Sequence, residues 1–299
     1  MHSTSNSVID PLVERADRQG VACLTFHNPP VNAINSAVRR EIDEALTALA
    51  QDDAVVGVVI SGAGRLFSGG GDLREIGRPE PAGAPTMSAL ARRIELFAKP
   101  VAAAMHGKAI GGGVLLAMAC PARIASRDAT ILLPEVNLGF SPGAGGTQRL
   151  PRLVGPGPAM KMVALAHALD AASAQVHGFF DEVAPDAQGA VEAAVRRIQA
   201  IARGAAPWRR TALLRVPSPA PGETAESLAS TYRSLAASAF PDREACQAAI
   251  DLILGASAPG ADFEAGMRRE KAEYDRLSSS PQAKALLEQF LAGRAARRA

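Results

Sequence analysis

The stretch VAAAMHGKAIGGGVLLAMA (Val101–Ala119) runs from an apolar segment through three consecutive glycines into a second apolar segment. With Lys99 and Pro100 before it, the first segment reads as a strand from Lys99 to Met105, of the continuous apolar kind that is buried on both faces. Gly111-Gly112-Gly113 then opens an apolar helix through Ala119. Upstream, Val21–Phe26, Val38–Leu49 and Val55–Ile60 read in the order strand, helix, strand, which indicates an α/β domain.

The same handover is read upstream. Val55–Ile60 (VVGVVI) is a second buried strand, leading through Gly62, Gly64 and Arg65 to Phe67-Ser68-Gly69-Gly70-Gly71-Asp72. Before it, Val21–Phe26 (VACLTF) is a strand ended by Pro29 and Pro30, which cannot continue a ladder. Ser36 has the chemistry of an N-cap, and Val38, Ile42, Ala45, Leu46 and Leu49 repeat at helical spacing.

Gly77–Pro85 (GRPEPAGAP) reads as a mobile loop, followed by a helix from about Thr86 to Phe97. Ala122–Ser126 and Thr130–Leu132 are strand-like, Pro142–Gly146 is a turn, and helical pieces run to about Ile201 with a break near Asp181–Gln188. The proline-rich connector Ala205–Thr224 divides the chain into a core, 1–204, and a helical C-terminal region, 205–299. Its helices are expected at Glu226–Ala237, Arg243–Leu254, Phe263–Leu277 and Gln282–Leu291.

The bulk numbers agree with a packed α/β protein. At 299 residues and 47% hydrophobic the chain can bury a large core, while 4% aromatic content favours close helix packing over an aromatic-lined pocket. A net charge of +2 gives no field for nucleic acid or an anionic membrane. Arg294, Arg297 and Arg298 form only a short basic tail. Cys23, Cys120 and Cys246 lack any metal or disulfide spacing, so no metal is expected and a reduced compartment fits. Met1–Asp10 is polar and no apolar run reaches about 18 residues, so a cytoplasmic protein without a membrane span is expected.

The first N–H groups of a helix have no intrahelical partner and lie at its positive end. Two glycine-rich helix starts facing one point would form an oxyanion hole, with no side chain in the way of a carbonyl oxygen. Each cluster alone is equally compatible with a tight turn. Neither has the G-x-G-x-x-G form of a dinucleotide site. A third element is Leu133-Pro134-Glu135-Val136, a carboxylate among apolar residues, where burial lifts a pKa toward the range useful for proton transfer. His106 reads as a strand-end histidine bonded to backbone, and Asp72 as a residue that caps or orients the first glycine helix.

Taken together, Asn32–Asn35, Phe67–Leu73, Lys99–Val101, Gly107–Gly113, Leu133–Gly139 and Pro142–Leu150 resemble the crotonase (enoyl-CoA hydratase/isomerase) superfamily. The C-terminal Asp262–Leu291 resembles the segment that closes the hydratase/isomerase part of fatty-acid multifunctional enzymes. The resemblance implies a spiral of repeated ββα units with a helical C-terminal region, usually a homotrimer, or a monomer in the multifunctional type. It also implies an acyl-CoA substrate and no separate cofactor, coenzyme A being part of that substrate. By motif, Gly71 and Gly112 fall on the two oxyanion donors and Glu135 on a catalytic glutamate. Asn32, Ala33, Ile34, Ser68, Gly70 and Leu73 fall where the family lines the CoA groove, and Arg74, which follows that motif, is either a contact to a CoA phosphate or an ordinary surface arginine. Leu115 and Gly143 join the substrate-binding set.

One departure bears on the reaction. Family hydratases carry a second glutamate two residues after the triple glycine, where this chain has Leu115. Losing one acid–base group costs about 10²–10⁴-fold in rate. Moving a double bond needs one base only, so Δ3-Δ2-enoyl-CoA isomerisation by Glu135 is expected. Hydration, or a hydrolase, decarboxylase or lyase reaction on the same scaffold, is the alternative, and a non-catalytic acyl-CoA binder a second one.

Overall fold

The computed structural model describes residues 11–296, so the polar N-terminal segment 1–10 and Arg297 and Arg298 lie outside it. In chain order the strands are β1 (Val13–Arg18), β2 (Val21–Phe26), β3 (Gly57–Gly62), β4 (Val101–Met105), β5 (Lys108–Ile110), β6 (Ala122–Ser126), β7 (Thr130–Leu132), β8 (Leu169–Asp170) and β9 (Glu182–Ala184). The helices of the core are α1 (Ser36–Ala50), α2 (Met87–Leu96), α3 (Gly112–Ala119), α4 (Gly146–Val154), α5 (Pro156–Ala164), α6 (Ala171–Val176) and α7 (Ala187–Ala202). Those of the C-terminal region are α8 (Ala225–Ala239), α9 (Glu244–Ser257), α10 (Phe263–Ser278) and α11 (Pro281–Ala296).

The main sheet has the order β1-β2-β3-β4-β6-β9, antiparallel at β1–β2 and parallel from β2 onward. A second sheet, β5-β7-β8, runs beside it, and Ser68 forms an isolated parallel bridge to Ala109 at its end. Successive repeats therefore give β3 and Ser68, β4 and β5, then β6 and β7 to the two sheets in turn. This is the expected spiral.

Burial follows the two-residue period of the strands. Val21, Cys23, Val59, Ala102, Ala104 and Ile124 face Ala190, Ala193, Ala194 and Ile198 of α7. Ala22, Leu24, Phe26, Ile60, Ala103 and Met105 face the larger core beneath α1, α2 and α3. The alanines of β4 let α7 approach one face closely, which accounts for a core with few aromatics.

Several element readings shift. The α1 N-cap is Asn35, whose side chain accepts from Val38 N, while the Ser36 N–H and hydroxyl donate to Glu75. β3 starts at Gly57 rather than Val55, and β4 at Val101 because Lys99 instead reaches the Leu49 and Asp52 carbonyls. No helix follows the first glycine cluster: Gly71 bridges to Ile34, and residues 73–77 form turns with Asp72 bonded to Arg74. Only the second cluster is a helix start. After Gly71 the sequence has no apolar repeat to bury a helix face, so backbone pairing wins. The Gly77–Pro85 loop is held to α1, because buried Arg39 bonds Glu80 and the Pro85 carbonyl. β1, β5, β8 and β9 are short or polar, and periodicity did not mark them.

The C-terminal helices fold back on the same chain. α9 packs against α4 and α5, α10 against α4, and α11 against the 3-10 turn Glu135–Leu138. Among the described residues no helix is long and apolar enough to cross a membrane.

Candidate active site

β4 delivers His106 and Gly107 to its C-terminal end, where the His106 ring bonds the Gly64 carbonyl at 3.0 Å. His106 is thus a structural brace. Gly111 takes φ +46°, donates to the Leu132 carbonyl at 2.8 Å, and accepts from Leu115 N at 3.0 Å as α3 begins. That leaves the Gly112 N–H in the first turn without an intrahelical acceptor.

The first glycine cluster comes to the same point from the opposite side. Ile34 N donates to the Gly70 carbonyl at 2.8 Å, and Ile110 N to the Ser68 carbonyl at 2.9 Å. A Cβ on Gly112 would lie 2.9 Å from Gly71 N, so the two backbones are in contact. A Cβ on Gly71 would meet nothing within 4 Å, so open space lies beside it. The N–H of neither Gly71 nor Gly112 is paired among the described residues. Two free amides beside a gap can serve an oxyanion.

Glu135 stands next to them. A Cβ on Gly111 would lie 3.1 Å from Glu135 Oε1, and Glu135 Oε2 is buried without a hydrogen-bond partner. Burial, with a smaller contribution from the Glu270 charge, pushes its carboxyl up to about 8. A carboxyl in that range can exchange protons near neutrality.

Other residues expected in the groove have structural duties. Buried Asn32, at φ +48°, donates to the Ala63 and Leu66 carbonyls, and the Ser68 hydroxyl donates to the Asn32 carbonyl at 2.8 Å while accepting from Gly70 N. Ile34 is fully buried. These side chains shape the loop, and Ala33 and Leu73 remain part-exposed beside it. Arg74 is 77% exposed and paired with Asp72 at 2.6 Å. Leu115 is buried against the start of α4, where a Cβ on Gly146 would lie 3.0 Å from its Cδ2.

The chain matches the enoyl-CoA hydratase/isomerase family over residues 16–217. The chain belongs to that family. It is 46% identical over 150 residues to a probable enoyl-CoA hydratase of Bacillus subtilis, an alignment covering 48% of this chain and 58% of that protein. It is 36% identical over 280 residues to the peroxisomal bifunctional enzyme of Danio rerio, covering 93% of this chain and 38% of that protein. The chain thus spans less than two thirds of the length of these relatives, and little more than a third of the bifunctional enzyme. Among solved structures, EchA1_1 from Mycobacterium paratuberculosis superposes with a TM-score of 0.67 at 26% identity, covering 93% of this chain and 95% of that one.

Within this crotonase fold, two further residues stand near Glu135 that sequence reasoning passed over. Glu270 of α10 is fully buried and accepts from Gly145 N, Thr147 N at 2.7 Å and the Thr147 hydroxyl at 2.6 Å. It thereby caps α4 from 123 residues away. Tyr274, one turn on, packs its ring on Gly143 and edge-on to Phe140. A signal for Glu270 did exist: it shares the apolar stripe Phe263, Gly266, Leu277 of α10. The charged run Arg268–Arg276 around it hid that stripe.

Proposed function

We propose that the protein is an acyl-CoA enzyme that moves a double bond from the 3- to the 2-position, with Glu135 as its single base. The thioester carbonyl oxygen would accept the N–H groups of Gly71 and Gly112. Glu135 takes a proton from C2, and the electron pair is delocalised into a dienolate whose oxygen the two amides stabilise. Return of the proton to C4 re-forms the carbonyl and leaves the double bond between C2 and C3. No water enters and the base is regenerated. Removing one oxyanion donor typically costs about 10²–10³-fold, so the amides and the base share the work.

The observation that carries this reading is the absence, among the described residues, of a second available carboxylate beside Glu135. Leu115 supplies none, and Glu270, whose charge Glu135 does sense, is already committed to three donors of α4. Glu270 is a brace and not a second acid. Coenzyme A would enter as part of the substrate.

Hydration is the second reading, favoured by the name of the Bacillus subtilis relative. The two separate on a panel of 2-enoyl- and 3-enoyl-CoA thioesters followed by mass spectrometry in deuterated solvent. Isomerisation of the 3-enoyl substrate with deuterium at the α-carbon and no added water supports the single base. Rapid water addition to a 2-enoyl substrate would overturn it.

A further inference from the structure

A half-open cleft of about 900 Å³ lies between the second half of α2, the chain from Arg210 to Val216, and the loop joining α9 to α10. It is separate from the glycine site. Gly112 opens α3, whereas Thr211, between the lining residues Arg210 and Ala212, donates its hydroxyl to the Met118 carbonyl at 2.9 Å, near the far end of that helix. Six residues of helix put about 9 Å between those two points.

The wall includes four arginines and three leucines, together with the carboxylates of Glu95, Asp262 and Glu264. Arg152 is 5% exposed, gives one N–H to the Gln148 carbonyl at 2.7 Å, and lies 5.0 Å above the Phe263 ring, yet its Nε has no partner. The carboxylates nearby are engaged elsewhere: Glu95 binds Arg149 at 2.8 Å, and Asp262 caps α10. Arg92 is matched by Glu264. Arg210 stacks on Trp208, and neither it nor Arg215 forms an ion pair with a carboxylate among the described residues. Leu213, 78% exposed, and Leu96, 51% exposed, stand beside these cations.

Burial, with the neighbouring Arg149 charge, holds Arg152 below its ordinary pKa against the pull of Glu95 and Asp262, whereas Arg210 and Arg215 have no carboxylate partner among the described residues. A ligand anion would give Arg210 and Arg215 a counter-charge, and guanidinium forks suit carboxylate and phosphate oxygens. The exposed leucines call for an aliphatic segment on the same ligand. We propose that this cleft is a second ligand site, taking an anionic amphiphile with its carboxylate or phosphate head at Arg152, Arg210 and Arg215 and its hydrocarbon chain along Leu96 and Leu213.

The test uses Trp208, the single tryptophan of the chain, as a fluorescent reporter beside the arginines. Decanoate, decyl phosphate, decanol and inorganic phosphate are titrated below the micelle threshold into the intact protein. The proposal expects a saturable change with decanoate or decyl phosphate, the tighter one identifying the head group, and at least tenfold weaker response to decanol and to inorganic phosphate. Arg215→Glu and Leu213→Glu, both at exposed positions away from Glu135, should each weaken binding at least tenfold while leaving enoyl-CoA turnover unchanged. Equal binding of decanol, absence of saturation, or affinities unaltered in both variants would overturn it. So would competitive inhibition by decanoate against the enoyl-CoA at the titrated constant, since that places the amphiphile in the acyl site.

Discussion

The Thr147 backbone N–H donates to the Glu270 carboxylate at 2.7 Å, tying the start of α4 to the middle of α10. α4 and its N-cap Gly145 carry the Gly145–Leu150 part of the family motif, so the helical C-terminal region is part of what holds the site in place. The Tyr274 ring on Gly143, and Ala283 and Leu286 against Gly139, continue that contact along the same seam.

Glu270→Gln should therefore destabilise the protein. The amide keeps one acceptor oxygen but turns an NH₂ toward donors, losing at least one buried hydrogen bond to a carboxylate. Such bonds contribute about 1.5–3 kcal/mol each. Denaturant unfolding should show a loss of that order, and a midpoint equal to that of the parent would refute the capping role.

Glu135→Gln should abolish isomerisation, by about 10²–10⁴-fold, while leaving thioester binding within a few-fold. Calorimetry with a non-reacting acyl-CoA, beside turnover of a 3-enoyl-CoA, separates the two. Retained turnover would remove Glu135 from the mechanism.

The pH dependence follows from the same group. The base must be ionised, and its carboxyl is pushed up to about 8 by burial, so kcat/KM should climb with pH and level off above about 8. Stability runs the other way. A carboxyl raised from 4.5 to about 8 in the folded state stabilises fully below 4.5 and loses that contribution as pH rises to 8. Glu135→Gln should flatten this part of the stability profile, and an unchanged slope would contradict the assignment.

Gly71→Ala tests the oxyanion gap. Its methyl would meet no protein atom within 4 Å, so the variant should unfold like the parent. If that space belongs to the substrate, turnover falls by at least tenfold. Gly112→Ala differs, because its methyl would press on Gly71 N at 2.9 Å and Met87 Cε at 3.2 Å. Normal activity in Gly71→Ala would empty the gap of its proposed role.

Leu115→Glu would return a carboxylate to the position where family hydratases hold one. Water addition to a 2-enoyl-CoA should rise above the parent's level, at a cost in thermal stability because the position is buried. No gain in hydration from a folded variant would mean that Leu115 is not what withholds that reaction.

The sequence by itself determined the α/β class, the buried strand before Gly111-Gly112-Gly113, the run of C-terminal helices and Glu135 as the isolated acid among apolar residues. These are local properties: apolar runs, helical spacing and runs of glycine. Tertiary structure alone decided the rest. Asn35 in place of Ser36 as the cap, and a bridge to Ile34 in place of a helix after Gly71, depend on which backbone groups find partners across the fold. The pairing of Glu270 with Thr147 and of Arg39 with Glu80 and Pro85 joins residues far apart in the chain, which no period or spacing encodes. Glu135 owes its readiness to exchange a proton to the same cause: its neighbours in the chain supply apolar surface, but the burial that lifts its pKa exists only once the chain has closed around it.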